Sequence, residues 1–359
     1  MEALRQARWW KPEPDGRILC TLCPRFCRIG DGQAGFCFIR QVRGGELVTL
    51  GYGRTTGFAI DPVEKKPLNH YRPGTSTLSF GTAGCNLGCR FCQNWDISKA
   101  KIDDERSAIA MPKEVVDLAI GRRCPSMSFT YNDPVIWAEY AIDLAREGKA
   151  RGVESILVTA GYVTEEARGD LYADARATNV DLKAFTEDFY QKATFSHLEP
   201  VLSTLSWLKK ETDVWLEITN LMIPGLNDSE EETRDLSRWV VAELGVDVPV
   251  HFTAFHPDFK MRDRPRTPPE TLARARRIAM KEGVRYAYTG NVHDREGGTT
   301  FCPRCREAVV VRDWFDIVAY RLDGSSCAKC GMPIAGVWPD EPVAPRRAGR
   351  RILGLRPHR

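Results

Sequence analysis

Three cysteines follow the apolar run Thr77-Leu78-Ser79-Phe80 in the spacing C-x3-C-x2-C. They are Cys85, Cys89 and Cys92, set in the glycine-rich stretch Gly81-Thr82-Ala83-Gly84-Cys85-Asn86-Leu87-Gly88-Cys89-Arg90-Phe91-Cys92. A soft thiolate set suits an iron–sulfur cluster. A 4Fe–4S cube ligated by only three thiolates keeps one iron open, where a small molecule can bind and receive an electron. The competing reading is a zinc knuckle lacking its fourth ligand.

The chain has 12 cysteines in 359 residues. With no secretion signal, that usage argues for metal or cluster ligation over disulfides. Cys20, Cys23, Cys27 and Cys37 lie among Gly30, Gly32 and Gly35, residues that let a backbone turn tightly round a metal. Four thiolates there read as a second iron–sulfur cluster or a zinc site, structural or electron-relaying. Cys302-x2-Cys305 and Cys327-x2-Cys330 read as the two knuckles of a zinc ribbon. A module so small has little core of its own, so zinc would supply its stability and the module could dock a macromolecular substrate. Cys124, alone between Arg123 and Pro125, reads as a helix-end or core residue.

A hydrophobic fraction of 43% and a charged fraction of 28% describe a globular protein with a sizeable core. No apolar run is long enough to span a bilayer, and Met1-Glu2-Ala3-Leu4-Arg5 does not open a signal peptide. The expectation is a cytoplasmic protein with no membrane partner. The formal charge of +3 hides an asymmetry, because residues 341–359 carry six arginines and one glutamate. The body shows no strong pull toward nucleic acid. The tail reads as solvated, disordered chain able to touch phosphate.

From residue 77 short β-rich runs alternate with amphipathic helical stretches. The runs are 77–82, 126–131, 155–160, 179–184, 214–219, 250–255 and 285–289. Ser229-x-x-Glu232 and Thr267-x-x-Glu270 read as capping boxes. Such alternation implies parallel strands with right-handed crossovers, in a barrel or a doubly wound sheet. The cluster motif directly follows the first strand, and further polar residues end later strands, as in a barrel with its site at the strands' carboxyl ends. The expected division is a Cys-rich amino-terminal module at 1–74, a barrel at 75–295, the zinc-ribbon-like module at 296–340 and the basic tail at 341–359. Residues 42–50 read as a hairpin about Gly44-Gly45. The segment 61–74, charged between prolines, reads as a surface loop offering Glu64, Lys65, Lys66 and His70 to the rim of the site.

Residues 17–95, the strand ends and the segment from Phe301 to Val337 together resemble the radical S-adenosylmethionine (SAM) proteins of the AmmeMemoRadiSam group. These are relatives of the activating enzymes of pyruvate formate-lyase. The resemblance implies an α/β fold, a partial (β/α)6 TIM-type barrel, with Cys85, Cys89 and Cys92 holding the 4Fe–4S cluster and Phe91 beside them. It implies that Thr130-Tyr131-Asn132-Asp133-Pro134 meets the methionine amino group, although Asp133 stands where the group has Glu; Asp133 could equally cap a helix. Thr159 lies in Val158-Thr159-Ala160-Gly161-Tyr162, where the group has Asn in place of Ala160. In Asp181-Leu182-Lys183 the two charges share a strand face. Lys183 is then expected on the SAM carboxylate and Asp181 on the ribose or substrate, the alternative being a structural ion pair. Glu217 and Thr219 repeat that pattern, Ile223 in Ile223-Pro224-Gly225-Leu226-Asn227-Asp228 is expected against adenine, and His256 at a strand end completes the set.

The implied chemistry is reductive cleavage of SAM to a 5′-deoxyadenosyl radical that abstracts hydrogen, with Cys85, Cys89, Cys92, Asp181 and Lys183 as its catalytic residues. A one-electron reductant is needed, and a glycyl residue of a partner protein is the inherited substrate. The alternatives are radical modification of RNA, a peptide or a small metabolite, or a non-enzymatic electron-transfer protein.

Overall fold

The computed structural model describes residues 5–103, 105–339, 349 and 351–353. Its centre is a sheet in which β1 (Phe58–Pro62) precedes seven parallel strands: β2 (Ser76–Phe80), β3 (Ser126–Phe129), β4 (Glu154–Thr159), β5 (Ala177–Asp181), β6 (Trp215–Met222), β7 (Val250–Ala254) and β8 (Ala287–Gly290). Helices α1 (Pro112–Gly121), α2 (Ala138–Ala150), α3 (Glu165–Tyr172), α4 (Glu199–Glu211), α5 (Glu230–Trp239) and α6 (Pro269–Lys281) fill the six connections. Strands β2 to β8 lie side by side in chain order. That order decides between the two architectures: a doubly wound sheet reverses direction at a switch point, whereas steady right-handed progression keeps the helices on one face and curls the sheet. The result is the expected partial (β/α)6 barrel, left open, with β1 antiparallel on β2.

The outward face is apolar and packs on the helices, as where Phe80, Phe129 and Trp137 meet at ring separations of 5.4–6.0 Å. The inward face carries the polar residues. Register aligns Asn179 with Glu217 and, one pleat nearer the carboxyl ends, Asp181 with Thr219 and Thr219 with His251. Of the two expected capping boxes, the first forms by half: the Ser229 hydroxyl accepts the Glu232 N–H at 3.1 Å, while the Glu232 carboxylate accepts the Phe185 N–H. The second does not. Helix α6 starts after Pro268, while the Thr267 hydroxyl accepts from the Phe255 N–H and donates to the Met222 carbonyl.

The segment 61–74 corrects the surface-loop expectation. It leaves β1 at the amino-terminal end of β2 and plugs the barrel from below, with Asp61, Glu64, Lys66, Leu68, Asn69 and His70 all buried. Its charges can be buried because they find partners, except that one Glu64 oxygen has no hydrogen-bond partner and burial pushes that carboxyl up to about 7. Asp61 binds Lys65 and Lys66 at 3.0 and 2.8 Å, and Glu64 accepts the Gly74 N–H. Glu217, from β6, accepts from the Asn69 and His70 N–H groups and from the His251 and Trp215 rings. Burial opposes its charge, yet His251 and the other donors hold its carboxyl below the ordinary value.

The carboxyl-terminal module, built on the hairpin of β9 (Ala308–Asp313) and β10 (Asp316–Tyr320), clamps this plug. His70 donates from Nδ1 to the Ala335 carbonyl and Arg312 donates to the Asn69 carbonyl, both at 2.6 Å. Val337 N–H meets the His70 carbonyl at 2.7 Å. In the basic tail, β11 (Arg351–Leu353) pairs with Phe58–Ile60 of β1 and is not free chain. The tail's other residues, 341–348, 350 and 354–359, lie outside the described set, as do residues 1–4. No helix among the described residues is long and apolar enough to cross a membrane.

His70 donates from Nδ1 to a carbonyl, and its Nε2 lies 2.6 Å from the Tyr288 hydroxyl, which can donate to a neutral ring. Burial pulls its pKa down from 6.5 to about 4. At this ring the unfolded chain takes up a proton first, so the His70 contribution to stability falls as pH drops from 6.5 toward 4, by on the order of 3 kcal/mol, while burial raises the Glu64 carboxyl to about 7 and acts in the opposite sense over the same window. Denaturant titrations of the native chain and His70→Asn across that window should show the difference, the variant losing less stability on acidification.

Candidate active site

The cluster loop needs glycine at two points of close approach. A Cβ on Gly81 would lie 2.3 Å from the Thr130 carbonyl oxygen, and one on Gly84, at φ +87°, would lie 2.1 Å from that of Cys37. Side chains from neighbouring strand ends pin what the glycines allow. Asn132 accepts the Thr82 N–H at 3.3 Å and donates to the Gly84 carbonyl at 2.8 Å. Asn86 donates to the Tyr162 carbonyl, and Lys99 to that of Leu87 at 2.7 Å.

The loop forms one wall of a cavity of about 300 Å³ at the carboxyl ends of the strands. Cys85, Cys89, Cys92, Asp133, Asp181, Lys183 and Thr219 line it together. Burial pushes the Cys89 thiol up to about 12 and that of Cys85 upward, while Lys183 and Lys99 act in the opposite sense on Cys89. A bound metal must displace those protons. Lys183 binds Asp181 at 3.0 Å. Burial disfavours its charge, but Asp181 and Cys89 hold its pKa above the ordinary value. The Thr219 hydroxyl is buried with no hydrogen-bond partner, an orphan donor facing a ligand-sized space. Three soft donors, a cation and an orphan hydroxyl suit a cluster with one open iron and a zwitterionic ligand beside it.

A wider groove of about 840 Å³ opens near the amino-terminal ends of the strands. Its lining contains no cysteine, and its three cations are already paired, as in Lys149–Asp174 and Arg72–Glu154, both at 2.7 Å. The smaller cavity is the one that Cys85, Cys89 and Cys92 line.

The remaining expected residues divide. Phe91 is buried on the cavity wall against Phe189. Tyr131, at φ +74°, lines the cavity and donates to Asp61 at 3.2 Å. Asp133 caps the helical turn Pro134–Trp137 through the Val135 N–H and also accepts from the Thr159 hydroxyl and the Ala160 N–H. Its helix-capping role is real, and so is its place on the cavity. Three residues are placed elsewhere. Glu217 is engaged by four donors in the floor network, Ile223 is fully buried outside the lining, and His256 is exposed beyond the strand end. The sequence reading missed Pro67, Ser98, Thr253 and Asn291, which all line the cavity. Thr253 was legible, lying two residues from inward-facing His251. Pro67 was not, because nothing local says that a charged loop enters a barrel.

The radical SAM superfamily model matches residues 80–237, which hold the cluster loop and every lining residue of the cavity except Pro67, Thr253 and Asn291. An uncharacterised protein of Methanocaldococcus jannaschii is 39% identical over 333 residues, spanning 92% of this chain and 99% of its own. The chain belongs to the radical SAM superfamily. The pyruvate formate-lyase-activating enzyme of Clostridium pasteurianum is 24% identical, covering 53% of this chain and 84% of its own. Among solved structures, a domain of the Bacteroides vulgatus pyruvate-formate lyase-activating enzyme aligns at 18% identity and TM-score 0.41, over 46% of this chain and 98% of its own. A radical SAM methyltransferase of Sphaerobacter thermophilus aligns at 18% identity and TM-score 0.49, over 61% and 67%.

This radical SAM protein carries a separate metal-ready site in its carboxyl-terminal module. The Sγ atoms of Cys302, Cys305, Cys327 and Cys330 all lie within 4.8 Å of one another, with Cys302–Cys330 at 3.6 Å and Cys305–Cys327 at 3.7 Å. A tetrahedral ion with metal–sulfur arms of about 2.3 Å sets sulfur–sulfur edges of about 3.8 Å. Burial opposes it, yet the Cys305 and Arg304 N–H groups bring the Cys302 thiol down to about 7. Because this module clamps the plug, a strong chelator should release about one ion per chain and lower the thermal midpoint. Metal analysis and a melting curve on the same sample check it; an unchanged midpoint after release would count against a structural ion.

Proposed function

We propose that this chain is a radical SAM enzyme of the AmmeMemoRadiSam group whose substrate is a glycyl residue of a partner protein. The observation that carries the reading is the meeting of Cys85, Cys89 and Cys92 with the Lys183–Asp181 pair and the orphan Thr219 hydroxyl in one cavity. When bound, SAM on a 4Fe–4S cluster supplies one-electron chemistry strong enough to abstract hydrogen from carbon. The chain's own residues supply position and shelter. The three thiolates hold the cluster; Lys183 orients the SAM carboxylate as a charged donor, and Asp181 and Thr219 reach the ribose. Leu87, Phe91, Val158 and Leu221 on the wall exclude water. Zinc in the carboxyl-terminal four-cysteine site holds the plug that floors the cavity. The named activating-enzyme relative supports a protein substrate, and a one-electron reductant completes the partner set.

The test is spectroscopic. SAM added to the reduced protein should change the electron paramagnetic resonance (EPR) signal of its cluster. Titrating that change in Lys183→Ala should give an affinity about 10- to 100-fold weaker, the worth of one charged hydrogen bond. A signal indifferent to SAM, or equal affinity in the variant, would contradict the reading.

A further inference from the structure

The thiols of Cys20, Cys23, Cys27 and Cys37 have no part in the site so far described, and hydrogen-bond donors are gathered round them. Three of them are buried and Cys27 is half-buried. Cys23 lies within electrostatic reach of the other three, and the Arg25 N–H is directed at its sulfur. The Ile39 and Arg40 N–H groups are directed at Cys37. Arg40 is buried, paired with Glu139 at 2.9 Å, and interacts with Cys20 and Cys37. Its Nε–H has no hydrogen-bond partner, an independent sign of a missing acceptor beside the sulfurs.

Geometry separates a cluster from a single ion. Among the described residues, the carboxyl-terminal four are the one cysteine group with sulfurs all within 4.8 Å of one another. The amino-terminal four are spread more widely, as are Cys85, Cys89 and Cys92, which suits ligands shared among several irons. The module also abuts the cluster loop. The Cys37 carbonyl meets Gly84, the residue before Cys85, closely enough to forbid a Cβ. Arg25 donates to the Asn86 and Phe195 carbonyls, and Tyr162 ties the two segments by accepting from Asn86 and donating to the Pro24 carbonyl at 3.5 Å.

We propose that Cys20, Cys23, Cys27 and Cys37 hold a second 4Fe–4S cluster that relays single electrons to the cluster loop it abuts. An external low-potential one-electron donor is oxidised by one electron, the second cluster is reduced by one, and the electron then leaves for the neighbouring cluster. No bond is made or broken and no proton need move. Four thiolates leave no iron open, so this site transfers electrons and does not bind SAM. The relay rests on the proposed radical function, whereas the cluster itself does not.

The experiment uses the full chain, reconstituted anaerobically. A Cys85/Cys89/Cys92→Ala variant should retain about four irons with the Mössbauer spectrum of a 4Fe–4S cluster and an EPR signal insensitive to SAM. Adding Cys20→Ser and Cys23→Ser should remove that iron. No iron in the first variant, iron surviving in the second, or zinc lost in its place would overturn the cluster. Wild-type protein checks variants that fail to fold: about eight irons per chain support the proposal and about four contradict it. For the relay, Cys20→Ser/Cys23→Ser should lose the fast phase of SAM-site cluster reduction by a reduced ferredoxin. A fast phase that persists would refute the relay and leave the cluster standing.

Discussion

The side-chain amide of Asn132 is the tie on which the site depends. It faces two ways, taking the Thr82 N–H on its oxygen and giving its own N–H to the Gly84 carbonyl, so it spans the residues immediately before Cys85. The Trp137 indole also donates to that oxygen at 3.3 Å, which fixes which way round the amide sits. One residue later Asp133 starts the helical turn and reaches across to Thr159 and Ala160 at the end of β4. A single short segment therefore locks the cluster loop, the end of β3 and the end of β4 into one rim. The positive φ of Tyr131 is part of that turn, a local strain that the surrounding hydrogen bonds hold in place.

Below the rim, the barrel is closed by charge where hydrophobic side chains would be the ordinary filling. The plug stays inside because its acids and bases meet partners before they meet water, and Glu217 collects four donors at the point where plug and strand cross. Removing one partner of such a set leaves an uncompensated buried charge, typically a cost of about 3–5 kcal/mol. The same network runs outward through His70 to Ala335 and ends below the cavity, because Thr219, the next inward residue of β6 after Glu217, has no partner on its hydroxyl. Hydrogen bonds thus tie the carboxyl-terminal cysteine module to the floor, and β6 carries that floor up to the cavity.

Much of the fold was legible because it rests on periodicity. All seven barrel strands overlap the β-rich runs, and alternation put Glu217 and Thr219 on one face, which the fold turns inward; Asp181 ends β5 and Lys183 lies just beyond it, paired with it at 3.0 Å. What alternation cannot give is height along the barrel axis. Glu217 and Thr219 share a face, yet two residues of rise move one into the floor network and the other to the cavity. His256 looked like a strand-end ligand because polarity and position suited it, but β7 ends at Ala254 and the ring lies outside. The plug was misread because turn residues and charges mark a loop without saying where the loop goes. The carboxyl-terminal cysteine spacing was legible as a ligand set, whereas the contact of Cys37 with Gly84 spans 47 residues and needed the fold.

The central claim is that the three-cysteine cavity cleaves SAM when supplied with an electron. The most direct measurement is 5′-deoxyadenosine formed by the anaerobically reconstituted, dithionite-reduced protein with SAM, against a Cys85/Cys89/Cys92→Ala control. The native chain should form product, and the control none above background. Intact SAM over a cluster verified to be present and reducible would contradict it.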